Sequence, residues 1–510
     1  MPRGGGLPSA PMLARLARVP AGLWVLLLLV AAGAALRFTT LGVQSYWYDE
    51  AVTVDLVRHG MIGMLRRIPD SESTPPLYYV VAWLWSKPFG TGEVGLRSLS
   101  ALCGTCAIPA ACAAAAELTT RRVGLVVAAL AAFNPLLIWY SQEARSYALV
   151  ALLTALSLYA FARLLRRPSR GALYLWGASA ALALATHYFA VFVVGPEAIW
   201  LLARRRRAAT GVAVAAVALV ALALLPLALH QRALDLASFI RTASLPYRLP
   251  QAGKQYLTGF DAPLEIPLSI VASAVVVAGG VLALRRPSAG VRTALVLAAV
   301  AVAVPFLLAA AGADYFDARN LIVAWVPLAT VTAAGLARGP AGLCGVTALC
   351  AIGLANYAGV LDHPLWQRDD WRGIAASLGP PPAPRAVVLT PGPSGRLPFE
   401  LYRPDARTLP PGGAYVRQIA LVSTEGRTTH QRHPPPPPRP SPPPGKAGFT
   451  LAKRVYAPSY TVIVLAATKT EYVTPRDLAP FRLLPKEIPA VLLERPRPLA
   501  GARAGRPPAG

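Results

Sequence analysis

Long apolar runs alternate with short polar breaks over the first 358 residues, and beyond them the pattern changes. Crossing about 30 Å of hydrocarbon takes roughly 20 helical residues, with a lower limit near 17. Runs of this kind cover 20–37, 98–117, 123–140, 147–162, 208–229, 266–284, 293–311, 321–337 and 341–358. The run over 171–202 is too long for one crossing and is predicted to fold as two short ones, turning at Thr186-His187-Tyr188. The pattern therefore predicts an α-helical polytopic membrane protein of about 11 transmembrane helices. The first run carries an A-G-A but is long enough to span, and is read as a retained helix rather than a cleaved signal.

One apolar stretch does not fit a crossing. P-P-L-Y-Y-V-V-A-W-L-W-S-K-P-F, residues 75–89, offers roughly 14 residues between prolines, about 21 Å of helix, too short to cross. It is predicted to lie at the outer boundary, where Tyr78, Tyr79, Trp83 and Trp85 suit the headgroup region. The amphipathic stretch before it is expected to do the same, which makes the first outer loop, 38–97, a platform of surface helices.

After Tyr357 the hydropathy drops. Short apolar runs at 386–390 and 460–467, with helix-like stretches between them, predict a small α/β domain over 359–510. A polyproline linker interrupts it at 433–445, and the last dozen residues have the composition of a disordered tail.

Composition agrees with the pattern. The 510 residues are 55% hydrophobic and 15% charged, with a mean hydropathy of +0.47, too apolar for an ordinary soluble enzyme. The formal charge of +26 would point to nucleic acid in a soluble chain, but here the arginines sit in clusters between spans. Those clusters, among them Arg121-Arg122, Arg204 to Arg207 and Arg285-Arg286, hold 17 basic residues and no acid, whereas the intervening loops hold 12 basic and 12 acidic residues. The asymmetry sets orientation, with residues 1–19 as a cytoplasmic tail and the C-terminus outside, and no nucleic acid is implied. Cys103, Cys106, Cys112, Cys344 and Cys350 all fall in apolar runs, so no disulfide framework is legible.

Charge inside a bilayer costs about 2.5–3.5 kcal/mol per group even on a lenient scale, so its placement is informative. Four clusters fall on the outer side: Y-W-Y-D-E (46–50), Y-S-Q-E-A-R-S-Y (140–147), T-H-Y-F (186–189) and D-Y-F-D-A-R-N (314–320). Each has an ordinary explanation. Asp49 caps a helix, Glu143 with Arg145 and Asp317 with Arg319 form rim ion pairs, and His187 is a turn histidine. Their convergence on one face favours function, with arginines suited to a phosphate and a carboxylate suited to a hydroxyl.

At these residues the chain resembles the C-type polytopic glycosyltransferases, in the branch of the protein O-mannosyltransferases and lipid A aminoarabinose transferases. Y-W-Y-D-E-A, P-P-L-Y-Y, F-G-T-G-E-V-G-L-R-S-L-S-A-L and N-P-L-L-I-W-Y-S-Q-E-A-R-S-Y-A-L carry the resemblance, with T-H-Y-F-A and D-W-R-G-I-A-A-S-L in support. It implies transfer of a sugar from a polyprenyl-phosphate donor in the outer leaflet to an extracytoplasmic hydroxyl, usually with inversion. It implies Asp49 as the base, with Glu50 supporting it. Arg145 and Arg319 are the candidates for the leaving phosphate, because a planar guanidinium binds phosphate oxygens bidentately. Glu143, Tyr147, His187 and Tyr78 complete the candidate substrate contacts. Relatives that hold a metal place an acid just before the P-P-L-Y-Y equivalent, where this chain has Ser73 and Thr74, with Glu72 one or two positions earlier. No cofactor is therefore certain, and a divalent metal is doubtful. The acceptor, whether protein, lipid, glycan or secondary metabolite, has no legible motif. The competing readings are a transporter or flippase of lipid-linked sugars, which would gather polar groups near the midplane, and a non-catalytic envelope scaffold.

Overall fold

The computed structural model describes residues 20–205, 207–424, 448–484 and 487–496. The predicted N-terminal tail, the polyproline linker and the C-terminal tail lie outside the described residues. The chain divides into two compact units. One comprises residues up to Leu41 together with Leu56–Gly359, and the other comprises Gly42–Asp55 together with the described residues from Val360 on.

The first unit is a helical bundle. Among the described residues, seven helices are long and apolar enough to cross a membrane: Ala21–Phe38, Glu93–Leu118, Tyr147–Arg166, Ala208–Leu234, Glu265–Arg285, Ala289–Ala310 and Pro340–Asp362. The predicted span over 123–140 is broken, with Arg121–Phe133 and Pro135–Ser141 meeting at 59°. The break lies at Asn134-Pro135, since proline has no N–H to continue the ladder and disfavours helix in the residue before it. Asn134 then caps the second piece, its side chain accepting from Leu137 N at 3.0 Å. Carbonyls freed by a break must be satisfied from within the protein. Arg37 does this, donating to Ala131 O at 2.9 Å, Ala132 O at 3.1 Å and the Ser141 hydroxyl at 3.1 Å. With the bent pair the count reaches 8. The other three predicted crossings correspond to the shorter helices Arg170–Thr186, Val191–Arg204 and Trp325–Leu336.

Small residues let these helices approach. A Cβ added to Gly335 would run into the backbone carbonyl of Gly279, so Trp325–Leu336 and Glu265–Arg285 cross glycine to glycine. The loop between the first two long helices is itself helical, with Met61–Ser71 and Leu77–Phe89 in this unit. The 13 residues of Leu77–Phe89 keep it short, as expected. Its tyrosines differ from the prediction: Tyr78 and Tyr79 are fully buried in protein rather than placed as boundary anchors. Tyr78 meets the Ser100 hydroxyl at 2.9 Å, because an interior phenol needs a hydrogen-bonding partner.

The second unit is built on a six-stranded sheet of order β2-β6-β1-β3-β5-β4, where β1 is Arg385–Thr390, β2 Arg407–Thr408, β3 Ala414–Thr424, β4 Phe449–Tyr456, β5 Tyr460–Val473 and β6 Ala490–Glu494. Among the described strands only β1 and β3 pair in parallel, joined through the helix Gly392–Tyr402, and the other neighbours are antiparallel. All six residues of β1 are buried. Val387 and Leu389 face Trp371, Ile374 and Phe399, while Ala386 and Val388 pack with Ile419 and Leu478 on the other side. A strand covered on both faces reads as continuous apolar sequence, which is what A-V-V-L presents.

Candidate active site

In the bundle, the Q-E-A-R segment leaves the broken helix in a tight turn. Gln142 ties it to the end of the first helix through Leu36 O at 2.8 Å and the Thr40 hydroxyl at 2.6 Å, and Arg145 N donates to Glu143 O at 2.8 Å. Glu143 is fully buried there. Arg145 then reaches across to Glu72, Nη1 to Oε1 2.6 Å, with the two side chains only 6% and 3% exposed. This is a buried pair between residues 73 positions apart, not the exposed rim contact expected from local sequence. The Arg145 guanidinium also lies 5.9 Å from the centre of the Tyr79 ring, whose hydroxyl meets Thr74 at 3.0 Å. Burial above all holds the Tyr79 phenol well above its ordinary range, so it stays protonated.

His187 ends the Arg170–Thr186 helix in extended conformation, at the turn outside the helical segments. Its Nδ1 accepts the Phe189 N–H at 3.2 Å, which places the proton of the neutral ring on Nε2. That Nε2 is buried and has no hydrogen-bond partner among the described residues. Burial first, then the guanidiniums of Arg145 and Arg319, press the imidazole from 6.5 to about 3. The ring centre of Tyr147 is 5.8 Å from that of His187 and 4.6 Å from that of Tyr140. Asp317, Arg319 and Glu143 all act electrostatically on Tyr140. Four of the predicted contacts, Arg145, Tyr147, His187 and Arg319, thus share one neighbourhood, with Glu143 beside them. Tyr78 spends its hydroxyl on Ser100 instead.

The loop carrying Arg319 is held from a place the sequence did not reveal. Arg248, buried in the helix Leu245–Thr258, grips Asp314 through both terminal nitrogens and also donates to Phe316 O. Asp317 Oδ1 accepts Arg319 N at 3.1 Å, a turn typical of aspartate, and lies 3.7 Å from Arg319 Nε. The guanidinium sits 4.6 Å from the centre of the Phe239 ring. Phe316 and Leu321, on the same loop, border an apolar cavity of about 350 Å³ that Leu130, Tyr256, Trp325 and Leu328 also line.

Asp49 and Glu50 belong to the other unit. Both stand in the first turn of the helix Tyr48–Arg58, where a carboxylate is favoured by the helix dipole. Asp49 is half-buried and Glu50 fully buried, its Oε2 3.9 Å from Arg368 Nε. No group of three or more histidine, cysteine, aspartate or glutamate side chains among the described residues is arranged to hold a metal ion.

Residues 73–230 match the model of the dolichyl-phosphate-mannose-protein mannosyltransferase family. The fold is similar to that of ArnT from Cupriavidus metallidurans bound to undecaprenyl phosphate, at 14% identity and a TM-score of 0.51 over 87% of this chain and 98% of that one. The apo form of the same protein gives 14% identity and a TM-score of 0.50 over 75% and 85%. The chain has the C-type polytopic glycosyltransferase fold. No curated protein matches the sequence. Within this C-type fold the family match takes in Tyr78, Glu143, Arg145, Tyr147 and His187, and leaves Asp49, Glu50 and Arg319 outside. Sequence reasoning set Glu72 aside as displaced from a metal position and overlooked Arg248. The one signal for Glu72 was that it is the sole acid in the S-E-S-T approach to P-P-L-Y-Y.

Proposed function

We propose that this chain is a membrane glycosyltransferase that moves a sugar from a polyprenyl-phosphate donor to an extracytoplasmic hydroxyl, with the N-terminus cytoplasmic and the C-terminus outside. The observation that carries this reading is the buried set Arg145, Arg319 and His187, drawn from three distant loops. A sugar phosphate needs little protonation to leave, but it needs positive charge and hydrogen-bond donors where the phosphate charge develops. Two guanidiniums supply the charge, and the Nε2–H of a neutral His187 is a donor of suitable kind. The apolar cavity beside the Arg319 loop is suited to part of the lipid chain. Asp49 takes the acceptor proton, and Glu50 braces the same helical turn. ArnT, with the similar fold, is known bound to undecaprenyl phosphate, which supports a lipid-phosphate donor here. Inversion at the sugar carbon follows if the acceptor attacks opposite the phosphate in one step.

The test is mass spectrometry of envelope lipids, glycans and proteins from cells with and without the chain, repeated with Asp49→Asn. Loss of one sugar in the deletion, restored by the wild type and not by an equally expressed Asp49→Asn, is expected. An Asp49→Asn variant that restores the sugar removes Asp49 as base, and an unchanged envelope in the deletion removes the transferase reading.

A further inference from the structure

The segment that leads into the Asp49 helix has almost no regular structure of its own, and Gln44, Ser45 and Tyr46 are nevertheless buried. Buried backbone groups outside a ladder need partners. Here they come from one short stretch more than 300 residues away in the chain. Arg372 sends Nη1 and Nη2 to Gly42 O at 3.1 and 3.2 Å, Nη2 to Gln44 O at 3.3 Å, and its backbone N–H to the Ser45 hydroxyl at 3.1 Å. Arg368 donates its backbone N–H and Nη1 to the Gln44 side-chain oxygen at 2.9 and 3.4 Å, with Nε 3.9 Å from Glu50. The Ser45 hydroxyl donates to Asp370 at 3.0 Å, and the same carboxylate oxygen caps the Trp371–Leu378 helix through Gly373 N at 2.8 Å. From the sheet side, the Tyr402 hydroxyl accepts Tyr46 N at 2.7 Å.

We infer that Arg368, Asp370, Arg372 and Tyr402 form a clamp that fixes the Gln44–Glu50 segment, making the C-terminal unit a positioning element for the acid pair rather than an accessory domain. This rests on the proposed role of Asp49. The backbone of Gly42–Tyr46 is fixed at three successive points, and Arg368 then reaches the buried Glu50 in the first turn of the next helix. A rotation of that turn would carry Asp49 with it, and displacement of a catalytic group by about 1 Å is enough to cost on the order of 100-fold in rate. Arg368 and Arg372 touch no reacting atom; they act through the segment they hold.

The experiment uses the full-length protein in lipid nanodiscs, as wild type, Arg368→Gln, Arg372→Ala and the milder Tyr402→Phe. Amide hydrogen exchange is followed over residues 42–52, undecaprenyl phosphate binding is measured, and product is quantified in native membranes with their endogenous donors across pH. Exchange of that segment should rise at least about 10-fold in both arginine variants and less in Tyr402→Phe. Product formation should fall about 10- to 100-fold with an altered pH profile, while undecaprenyl phosphate affinity stays within about twofold. Unchanged exchange over 42–52 in all three folded variants overturns the clamp. Raised exchange with wild-type rate and pH profile overturns its positioning role. Raised exchange together with an active Asp49→Asn leaves the grip standing and removes the base it was thought to serve, so the two failures are told apart.

Discussion

Replacing Arg145 by methionine, alone and together with Glu72→Leu, separates what this guanidinium does for the fold from what it does for a phosphate. The pair lies at 2.6 Å with side chains 6% and 3% exposed, so water screens it little. At an effective dielectric near 20, unit charges about 4 Å apart attract by ~4 kcal/mol. Removing one member of such a pair costs about 3–5 kcal/mol, because the other charge is left buried without compensation. Arg145→Met leaves the buried Glu72 carboxylate without its guanidinium and should lower the unfolding temperature sharply. The double variant removes both charges, and replacing a buried pair by apolar side chains is often neutral or better, so its unfolding temperature should return close to wild type. Donor binding should not return. A charge-assisted hydrogen bond contributes about 1.5–3 kcal/mol, which predicts undecaprenyl phosphate binding weakened by roughly 10- to 150-fold in both variants. Thermal unfolding in nanodiscs and direct titration with undecaprenyl phosphate read the two effects separately. If the stable double variant binds undecaprenyl phosphate like wild type, Arg145 serves only the fold and the phosphate assignment fails.

Arg319→Ala should weaken undecaprenyl phosphate binding by about 10-fold or more, whereas Arg248→Ala should weaken it less and mainly raise hydrogen exchange over 313–321; equal affinity in wild type and Arg319→Ala would remove Arg319 from the phosphate site. His187 has a folded pKa of about 3, against 6.5 unperturbed. Its ring therefore binds a proton more readily in the unfolded chain, and stability should fall as pH drops from about 6.5 towards 3. Thermal unfolding of His187→Gln should show a shallower acid decline than wild type; parallel curves would contradict the burial of a neutral ring. Arg37→Met leaves the carbonyls of Ala131 and Ala132 without their guanidinium, at about 1–3 kcal/mol for each group left unsatisfied. A lowered unfolding temperature is expected, and an unchanged one would show that the broken helix does not depend on Arg37.

Hydropathy alone laid out the long helices, the short Leu77–Phe89 helix and an α/β unit after residue 359, because burial in lipid or between layers demands apolar runs of set length. Local chemistry marked the turn at His187, whereas the aspartate turn before Arg319 came only with the structure. The four polar clusters were legible as clusters, and P-P-L-Y-Y and Q-E-A-R lie inside the family match. What the sequence left open is which polar or charged group meets which. Arg145 meets Glu72 across 73 residues, Arg248 meets Asp314 across 66, and Arg368 meets Gln44 across 324. Such pairs follow no period; they depend on where helices cross, where the chain breaks at Asn134-Pro135, and how loops return. Periodicity is a property of one element and its own face, so the sequence by itself determined the elements and the kinds of residue at their ends. The tertiary structure alone decided that Arg145 is half of a buried pair and that Gly42–Asp55 groups with the C-terminal unit. Buried charges and unladdered backbone must find partners, and only the folded chain brings those partners within 3 to 4 Å.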